Sequence, residues 1–517
     1  MIFSRNPVRA ELVEALPSPP TAMRRASRPS TGSGRTGIAV LALAAALSAC
    51  SFAPKYVRPE LPVPPSWPVG DAYLRQNEAA LPSISYRDIF RDPRLQQIVA
   101  QALVNNRDLR IAAGNIAVAR AQYRIQRAEL LPAVDASTNY TRSDAGTGRA
   151  FNGGAPVTGG VRENFSASLG ITAFEIDLFG RVRSLSSAAQ NRYFSTEAAA
   201  RATRLTLVGD IATAWLTYAA DQSLLQIARD TAASAERSVA LTKLRLDGGI
   251  APRTDLAQAQ IVLQTAQSDL ATQTTAVAQD VNALQLLVGA PVDPALLPKS
   301  IEEAAATVAA LPAGVDSGVL LRRPDVVQAE YQLRAANAQI GAARAALFPR
   351  ISLTALAGLA SNTLGSLFTG GAFNYSLAPT ASYPIFNAGA VRAGVAQSKA
   401  QRDIALATYE KTIQAAFSEV ADALARRGTI GNQLAAQTAL TAAASDNYRL
   451  SDARYRGGIE TFLQSLDAQR SLYSARRSLV TTQLTGATNL VTLYRTLGGD
   501  ATLDATPAGP QPTTPAK

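Results

Sequence analysis

Four segments in which apolar and polar side chains alternate constrain the fold of this chain more than any other feature of its sequence. One face of each segment carries mainly Leu, Ile, Phe, Tyr, Val or Ala, whereas the other carries mainly small or polar residues. Alternation over about ten residues is typical of membrane β-barrel strands, which present one face to lipid and the other to the lumen. The segments are VDASTNYT (134–141), NFSASLGITA (164–173), ISLTALAGLA (351–360) and FNYSLAPTAS (373–382).

Four strands are too few to close a barrel in a membrane, because the smallest membrane barrels have about eight. An open sheet edge in lipid would leave backbone groups unpaired, at a cost of several kcal/mol for each group. The sequence therefore predicts that several identical copies share one barrel. A soluble β-sandwich is the alternative, but the long helical stretch between the two strand pairs makes it a poor sandwich.

The helical pattern also occurs twice, which indicates an internal two-fold repeat. Two long helices are predicted to end at the glycine pairs Gly248-Gly249 and Gly457-Gly458, which suit a tight reversal. A shorter helix returns from each turn, and another leads into each strand pair. Two short helices placed end to end would match one long helix, so we predict a wall of hairpins about 100 Å long. The predicted helices are 107–131, 181–247, 253–289, 324–348, 390–456 and 461–497.

The first fifty residues are typical of an export signal. Four arginines between residues 24 and 35 precede an apolar run at 38–47, which is too short to span a bilayer, where about 20 residues are needed. The only cysteine of the chain, Cys50, follows this run and excludes a disulfide framework. Met23 is an alternative start of translation. One interpretation of Cys50 is a buried thiol that follows an ordinary signal peptide.

The composition argues against an enzyme. The chain has no histidine and one cysteine, which excludes histidine-based general base catalysis and Cys/His metal sites. The acidic pair Glu302-Glu303 lies in an Ala/Pro-rich link and is interpreted as solvated. Residues 51–517 keep a net charge of +7 of the total of +11, because the first fifty residues hold six arginines and two glutamates. These charges form no basic cluster, so no nucleic acid partner is predicted. No cofactor is predicted either, because the chain has no Gly-rich phosphate-binding loop.

Five long segments carry a resemblance to a known family. They are NRDLRIAAGNIAVARAQYRIQRAELLP (106–132), FEIDLFGRVR (174–183), LLRRPDVVQAEYQLRAANAQIGAARAALFPRISLT (320–354), YPIFNAGAVRAGV (383–395) and YRGGIETFLQSLDAQRSLYSAR (455–476). Together they make the chain similar to the TolC-like outer membrane factors, in the lipoprotein (NodT-like) branch that serves tripartite efflux systems.

The resemblance implies a mainly α fold with a membrane β-barrel. Three chains of four strands each would form a twelve-stranded barrel in the outer membrane, continued by a long α-helical barrel in the periplasm. It also implies a periplasmic adaptor and an inner-membrane RND-type pump as partners. Leu47-Ser48-Ala49-Cys50 resembles a lipobox, which implies cleavage before Cys50 and its acylation, and so an outer-membrane lipid anchor.

In this family, acidic and apolar rings near the hairpin tips constrict the pore. The matching positions are Leu463, Asp467 and Arg470, with Asp255 as the candidate partner in the first repeat. Some relatives carry a second aspartate where this chain has Gln464. The alternative for Asp467 and Arg470 is a surface pair worth a few tenths of a kcal/mol. The two glycine pairs are expected to contact the adaptor.

These observations give a predicted domain organisation and function. The segments are a signal peptide (1–50), a lipidated extended segment (51–90), a first efflux repeat (91–300), a second efflux repeat (301–497) and a disordered tail (498–517). The predicted function is a passive outer-membrane exit duct for small toxic molecules. The alternatives are a structural or adhesive lipoprotein that spans the periplasm, and the exit duct of a metal-ion or type I secretion system.

Overall fold

The computed structural model describes residues 52–73, 85–144, 160–310 and 317–499, and the backbone of two short strands after residue 502. The predicted signal peptide and the predicted lipidation site, Cys50, lie outside the described residues. The helices are α1 (Tyr86–Ile89), α2 (Pro93–Asn105), α3 (Arg107–Ala128), α4 (Arg181–Asp247), α5 (Arg253–Val288), α6 (Ile301–Ala305), α7 (Pro324–Ala345), α8 (Ala390–Arg456) and α9 (Phe462–Thr496). The strands are β1 (Asp135–Asp144), β2 (Val161–Glu175), β3 (Arg350–Ser361), β4 (Phe373–Ser382), β5 (Leu503–Thr506) and β6 (Gly509–Pro512).

The two long helices, α4 and α8, each contain 67 residues and have the predicted boundaries. Both end in the same hydrogen-bonded turn, in which the third residue after the helix donates its amide to a carbonyl in the last turn. The Ile250 amide lies 2.8 Å from the Arg245 carbonyl, as the Ile459 amide does from that of Arg454. The preceding residue has a φ of 75° in both turns, which explains why glycine stands there.

The short helices meet end to end, as predicted. The Asn106 side chain caps α3 and donates to the carbonyl of Leu287 at the end of α5, over 2.8 Å. In the second half, the Arg323 guanidinium donates to the carbonyl of Thr496 at the end of α9, over 2.9 Å. Polar side chains at both junctions therefore satisfy helix-end carbonyls that would otherwise lack partners.

The four predicted strands form one antiparallel sheet in the order β1-β2-β3-β4. Residues paired across neighbouring strands point to the same face, so the pairing defines an apolar face and a polar face. Leu356 is an apolar exception on the polar face, where it pairs with Ser376. The apolar face carries Ala136, Tyr140, Phe165, Ala167, Leu169, Ile171, Leu353, Ala355, Ala357, Leu359, Phe373, Tyr375 and Leu377.

The alternation predicted for residues 164–173 breaks at the end of that segment. Ile171 pairs with Ala355, but the next pair on this face joins Phe174 to Leu353, so β2 contains one extra residue. Ala173 has a φ of 52° and lies in this β-bulge. The prediction that Ala173 continues the apolar face is therefore wrong, because the bulge shifts the register by one residue.

The helices α3, α4, α7 and α8 pack side by side in the same order as the strands to which they connect. The helix α4 packs against α3, α5, α7 and α9, whereas α8 packs mainly against α7 and α9. Within the described residues, α3 has no buried residue, and its Ile111, Val118 and Ile125 are 60%, 56% and 68% exposed. These three side chains recur every seventh residue and so share one face. Within the described residues, β1 and β4 each pair with one strand and α3 packs mainly against α4, so the sheet and the helices both end in open edges.

The main core surrounds α4 near the junctions of the short helices. Trp215 is fully buried, and its indole nitrogen donates to the carbonyl of Leu296 over 3.1 Å. Beyond residue 499, β5 and β6 pair antiparallel. Cross-strand pairing satisfies the backbone groups of these two strands, and the disordered tail predicted for residues 498–517 stays a prediction. None of the described helices combines the length and the apolar character needed to cross a membrane.

Candidate functional site at the hairpin tips and the sheet–helix junction

The two tip turns are tied to each other by Arg245. Its guanidinium donates to the carbonyls of Tyr455 and Arg456, over 3.2 and 3.1 Å, and lies 4.4 Å from the centre of the Tyr455 ring. Tyr455 also contacts the ring of Phe462 at the start of α9. The end of α4, the end of α8 and the start of α9 therefore form one small packed unit at the tips.

The predicted gate residues lie on one exposed stripe of α9. Leu463, Asp467 and Arg470 are spaced by four and three residues, and all three are exposed. No ion pair joins Asp467 to Arg470 among the described contacts. Asp255 is partly buried in the first turn of α5, and no described contact joins it to the other three. The structure therefore brings together the α9 residues but not Asp255.

Gln464 has a structural role of its own. Its side-chain oxygen accepts from the backbone amide of Thr461, over 3.4 Å, at the start of α9. A carboxylate or amide at this third helical position commonly closes a capping box. Gln464 therefore caps the helix.

Sequence reasoning missed a contact between α5 and α9. The Tyr473 hydroxyl donates to the carboxylate of Asp269 over 2.7 Å, and burial together with this carboxylate raises the pKa of Tyr473 to about 12. Both residues line a cavity of about 200 Å³ that Arg470 also lines. We call this hydrogen bond the α5–α9 clamp. The partners are 204 residues apart, so no local sequence pattern signals it.

At the opposite end of α4, an acidic residue organises the passage from sheet to helix. The Glu175 carboxylate accepts from Arg181 at the start of α4, over 2.7 Å, and pairs with Arg350 at the start of β3, over 2.6 Å. Phe179 stacks on Phe348 with ring centres 4.9 Å apart. Charge pairing and aromatic stacking thus fix the direction in which α4 leaves the sheet.

The N-terminal strap, residues 52–73, contains no helix and lies along the second half of the chain, whereas α1 lies within the segment 51–90 that was predicted to be extended. Its Tyr56 and Arg58 both donate to Glu330 Oε1 of α7, over 3.2 and 3.1 Å. Arg334 donates to the same oxygen over 2.7 Å. Glu330 is 1% exposed, so these donors compensate a buried carboxylate.

The strap is fixed at both ends. Phe52 stacks on Phe348 at 4.6 Å, close to the sheet. At the other end, a Cβ atom on Gly428 of α8 would lie 2.0 Å from the carbonyl oxygen of Ala72, so only glycine allows this approach. The strap therefore joins the sheet–helix junction to the middle of α8.

Comparison with known proteins decides the family. The model of the family described as outer membrane efflux protein matches residues 98–290 and again residues 317–499. The chain belongs to the outer membrane efflux protein family. It is 46% identical over 455 residues to the probable efflux pump outer membrane protein TtgC of Pseudomonas putida, covering 88% of this chain and 93% of that protein.

Solved structures of two membrane proteins share the fold. A membrane protein from Pseudomonas aeruginosa has 37% identity and a TM-score of 0.80, covering 87% of this chain and 100% of that one. The MtrE outer membrane channel of Neisseria gonorrhoeae, in its open state, has 34% identity and a TM-score of 0.76, with 87% and 98% covered.

These findings confirm three predictions for this outer membrane efflux protein. They are the family, the outer-membrane location and the role as the outer-membrane part of an efflux pump. The family consists of efflux ducts rather than enzymes. The described residues contain no group of three or more side chains suited to hold a metal ion.

A pair of carboxyl groups on α4 and α5 predicts a pH effect on this efflux protein. Burial and the neighbouring Asp221 raise the pKa of Asp280 from 3.8 to about 7. Between those values the folded state holds a proton that the unfolded state has lost, so stability should fall as pH rises from about 4 to about 7. Asp280→Asn should flatten this decline in thermal unfolding followed between pH 4.5 and 8. The exposed Asp230→Asn is the control, and equal pH profiles for both variants would contradict the assignment.

Proposed function

We propose that three copies of this chain form the exit duct of a tripartite efflux pump. The observation that carries the proposal is the common order of strands and helices. The sheet ends in the edges β1 and β4, and the helical wall ends in α3 and α8. When the β4 and α8 edge of one copy joins the β1 and α3 edge of the next, the sheet and the helical wall are both closed. Three copies supply the twelve strands of a membrane barrel.

The apolar face of the shared barrel is proposed to face lipid. Water is absent there, so every strand edge must find a partner, which the next copy supplies. The polar face lines the lumen, and the helices continue it into the periplasm. The internal two-fold repeat gives each copy two hairpins of the wall.

The hairpin tips are proposed to gate the duct. Leu463, Asp467 and Arg470 would form rings around the axis when the stripe of each α9 faces the lumen, with Asp255 nearby on α5. The α5–α9 clamp would hold these helices together in the closed state. Opening would then require the bond between Tyr473 and Asp269 to break in each copy.

The periplasmic adaptor is proposed to dock on the tip turns, and the RND-type pump to deliver cargo through it. Exposed isoleucines, Ile250 at 80% and Ile459 at 70%, follow the turns and offer the adaptor apolar contacts.

Cys50 is proposed to carry the lipid anchor, two residues before the strap begins. Relatives are named for efflux of antibiotics, toluene and solvents, so we propose small organic molecules as cargo. The docking turns are Gly248, Gly249, Gly457 and Gly458.

Conductance in planar bilayers tests this function through Tyr473→Phe. The variant keeps the ring but removes the hydroxyl that bonds Asp269. A lost hydrogen bond is worth about 1 kcal/mol, so we expect open probability to rise roughly fivefold for each clamp broken. Tyr123→Phe, on α3, is the control. Protein that never conducts would contradict the duct, and a Tyr473→Phe variant that conducts like the native protein would contradict the clamp's role.

A further inference from the structure

The chain leaves its sheet twice through related sequences. FEIDLFGRVR (174–183) connects β2 to α4, and YPIFNAGAVR (383–392) connects β4 to α8. They align at Gly180 and Gly389, whose φ angles are 73° and 85°. The chain also enters the sheet twice, through LLPAV before β1 and LFPRI before β3. All four connections lie at the same end of the sheet.

One exit is covered within the chain. The amide of Ile176, after β2, donates to the carbonyl of Ile351, at the start of β3, over 2.9 Å. Phe179 of the same exit stacks on Phe348 of the same entry. The exit from β2 therefore packs on the entry to β3, its neighbour in the sheet.

Within the part of the chain that the structure describes, the other exit and the other entry lack such a cover. Ile385 and Phe386, after β4, are 95% and 88% exposed, and Tyr383 is 56% exposed. Leu131 and Val134, before β1, are 73% and 65% exposed. In the alignment, Ile385 takes the place of Ile176, and Leu131 and Val134 take the places of Phe348 and Ile351.

We propose that Ile385 and Phe386 of one copy pack on Leu131 and Val134 of the neighbouring copy, as an intersubunit staple. Antiparallel pairing of β4 with the next β1 brings the end of one strand beside the start of the other. The covered junction within the chain supplies the template, including a hydrogen bond from the Ile385 amide to the Val134 carbonyl of the next copy. The inference rests on the proposed homotrimer and names the contact that joins its copies below the barrel.

The two junctions differ in chemistry. Where the covered junction has Glu175 bonded to Arg181 and Arg350, the exposed one has Pro384, Ala390 and Ala133 at the aligned positions. The staple therefore contains no ion pair and is stabilised by burial of apolar surface. Its stability should be nearly independent of salt, because screening acts on charges.

Engineered cysteines test the staple in the full-length protein. Cα atoms of paired strand residues lie about 5.5 Å apart, within the range of about 4.4–6.8 Å that a disulfide spans. Val134→Cys combined with Ile385→Cys should give covalent dimers and trimers after oxidation, seen on non-reducing gels. Each single variant measures any cross-linking that involves Cys50. Val134→Cys combined with Ile459→Cys, at a hairpin tip, should give no such bands.

Leu131→Cys combined with Ala388→Cys gives an independent second pair, in case the first substitutions disturb folding, because these positions align with the stacked Phe348 and Phe179. Cross-links in either pair, at both 50 mM and 1 M NaCl, support the staple. Trimeric, conducting protein that cross-links in neither pair would overturn the staple and leave the proposed duct intact. Absence of any trimer for the native protein would instead overturn the proposed function.

Discussion

Replacing Leu377 with arginine is expected to abolish assembly in the outer membrane, whereas replacing its neighbour Ser376 with arginine is expected to be tolerated. Leu377 lies on the apolar face of β4 and is 66% exposed, and Ser376 lies on the polar face. Arginine facing lipid at the middle of a bilayer costs about 2–4 kcal/mol, and each of the three copies would bear that cost. Arginine facing a water-filled lumen can remain hydrated.

Fractionation of membranes on a density gradient measures how much of each variant reaches the outer membrane. Native protein and Ser376→Arg should be found in the outer-membrane fraction in similar amounts, and Leu377→Arg should be absent from it or degraded. The two substitutions add the same charge at adjacent positions of one strand, so they differ only in the face concerned. Equal amounts of the two variants in the outer membrane would mean that the apolar face does not contact lipid.

Replacing Glu330 with glutamine is expected to destabilise the folded protein by about 3 kcal/mol or more. The carboxylate is buried between Arg58 of the strap and Arg334 of α7, and glutamine cannot supply the negative charge that these two guanidiniums face. Glutamine has nearly the same shape, so the loss measures charge rather than packing. The strap should also detach more readily from α7.

Thermal unfolding in detergent, combined with limited proteolysis of the strap, measures both effects. The control is Glu419→Gln, which removes a carboxylate that pairs with Arg323 over 3.0 Å but is 51% exposed in its side chain. Glu419 is half exposed and Arg323 keeps its bond to Asp325, so the loss for the control should be smaller than that for Glu330→Gln. A shift for Glu330→Gln no larger than that of the control would show that the strap is held by its other contacts.

The boundaries of the long helices could be predicted because their ends have strong local signals. Glycine pairs end α4 and α8, and proline follows each helix that leads into the sheet. The strands β1, β3 and β4 keep a register without a bulge, although Leu356 of β3 lies on the polar face, and β2 departs from the prediction at Ala173. A bulge depends on how the partner strand pairs, which the segment itself does not encode.

The contacts that hold the site together could not be read from the sequence. The α5–α9 clamp joins residues 204 positions apart, and the bond between Arg58 and Glu330 joins residues 272 apart. A glutamate in a helical segment is usually exposed, so its burial becomes visible only when the strap is in place. The capping role of Gln464, in contrast, is local, because Gln464 follows Thr461 by three residues in the sequence.

The number of chains in the detergent-extracted protein decides whether identical copies share one barrel. Four strands per chain cannot close a barrel, so we expect particles of three chains that surround a central hole, seen by electron cryomicroscopy and by native mass measurement. A stable particle that contains one chain and no central hole would contradict the shared barrel.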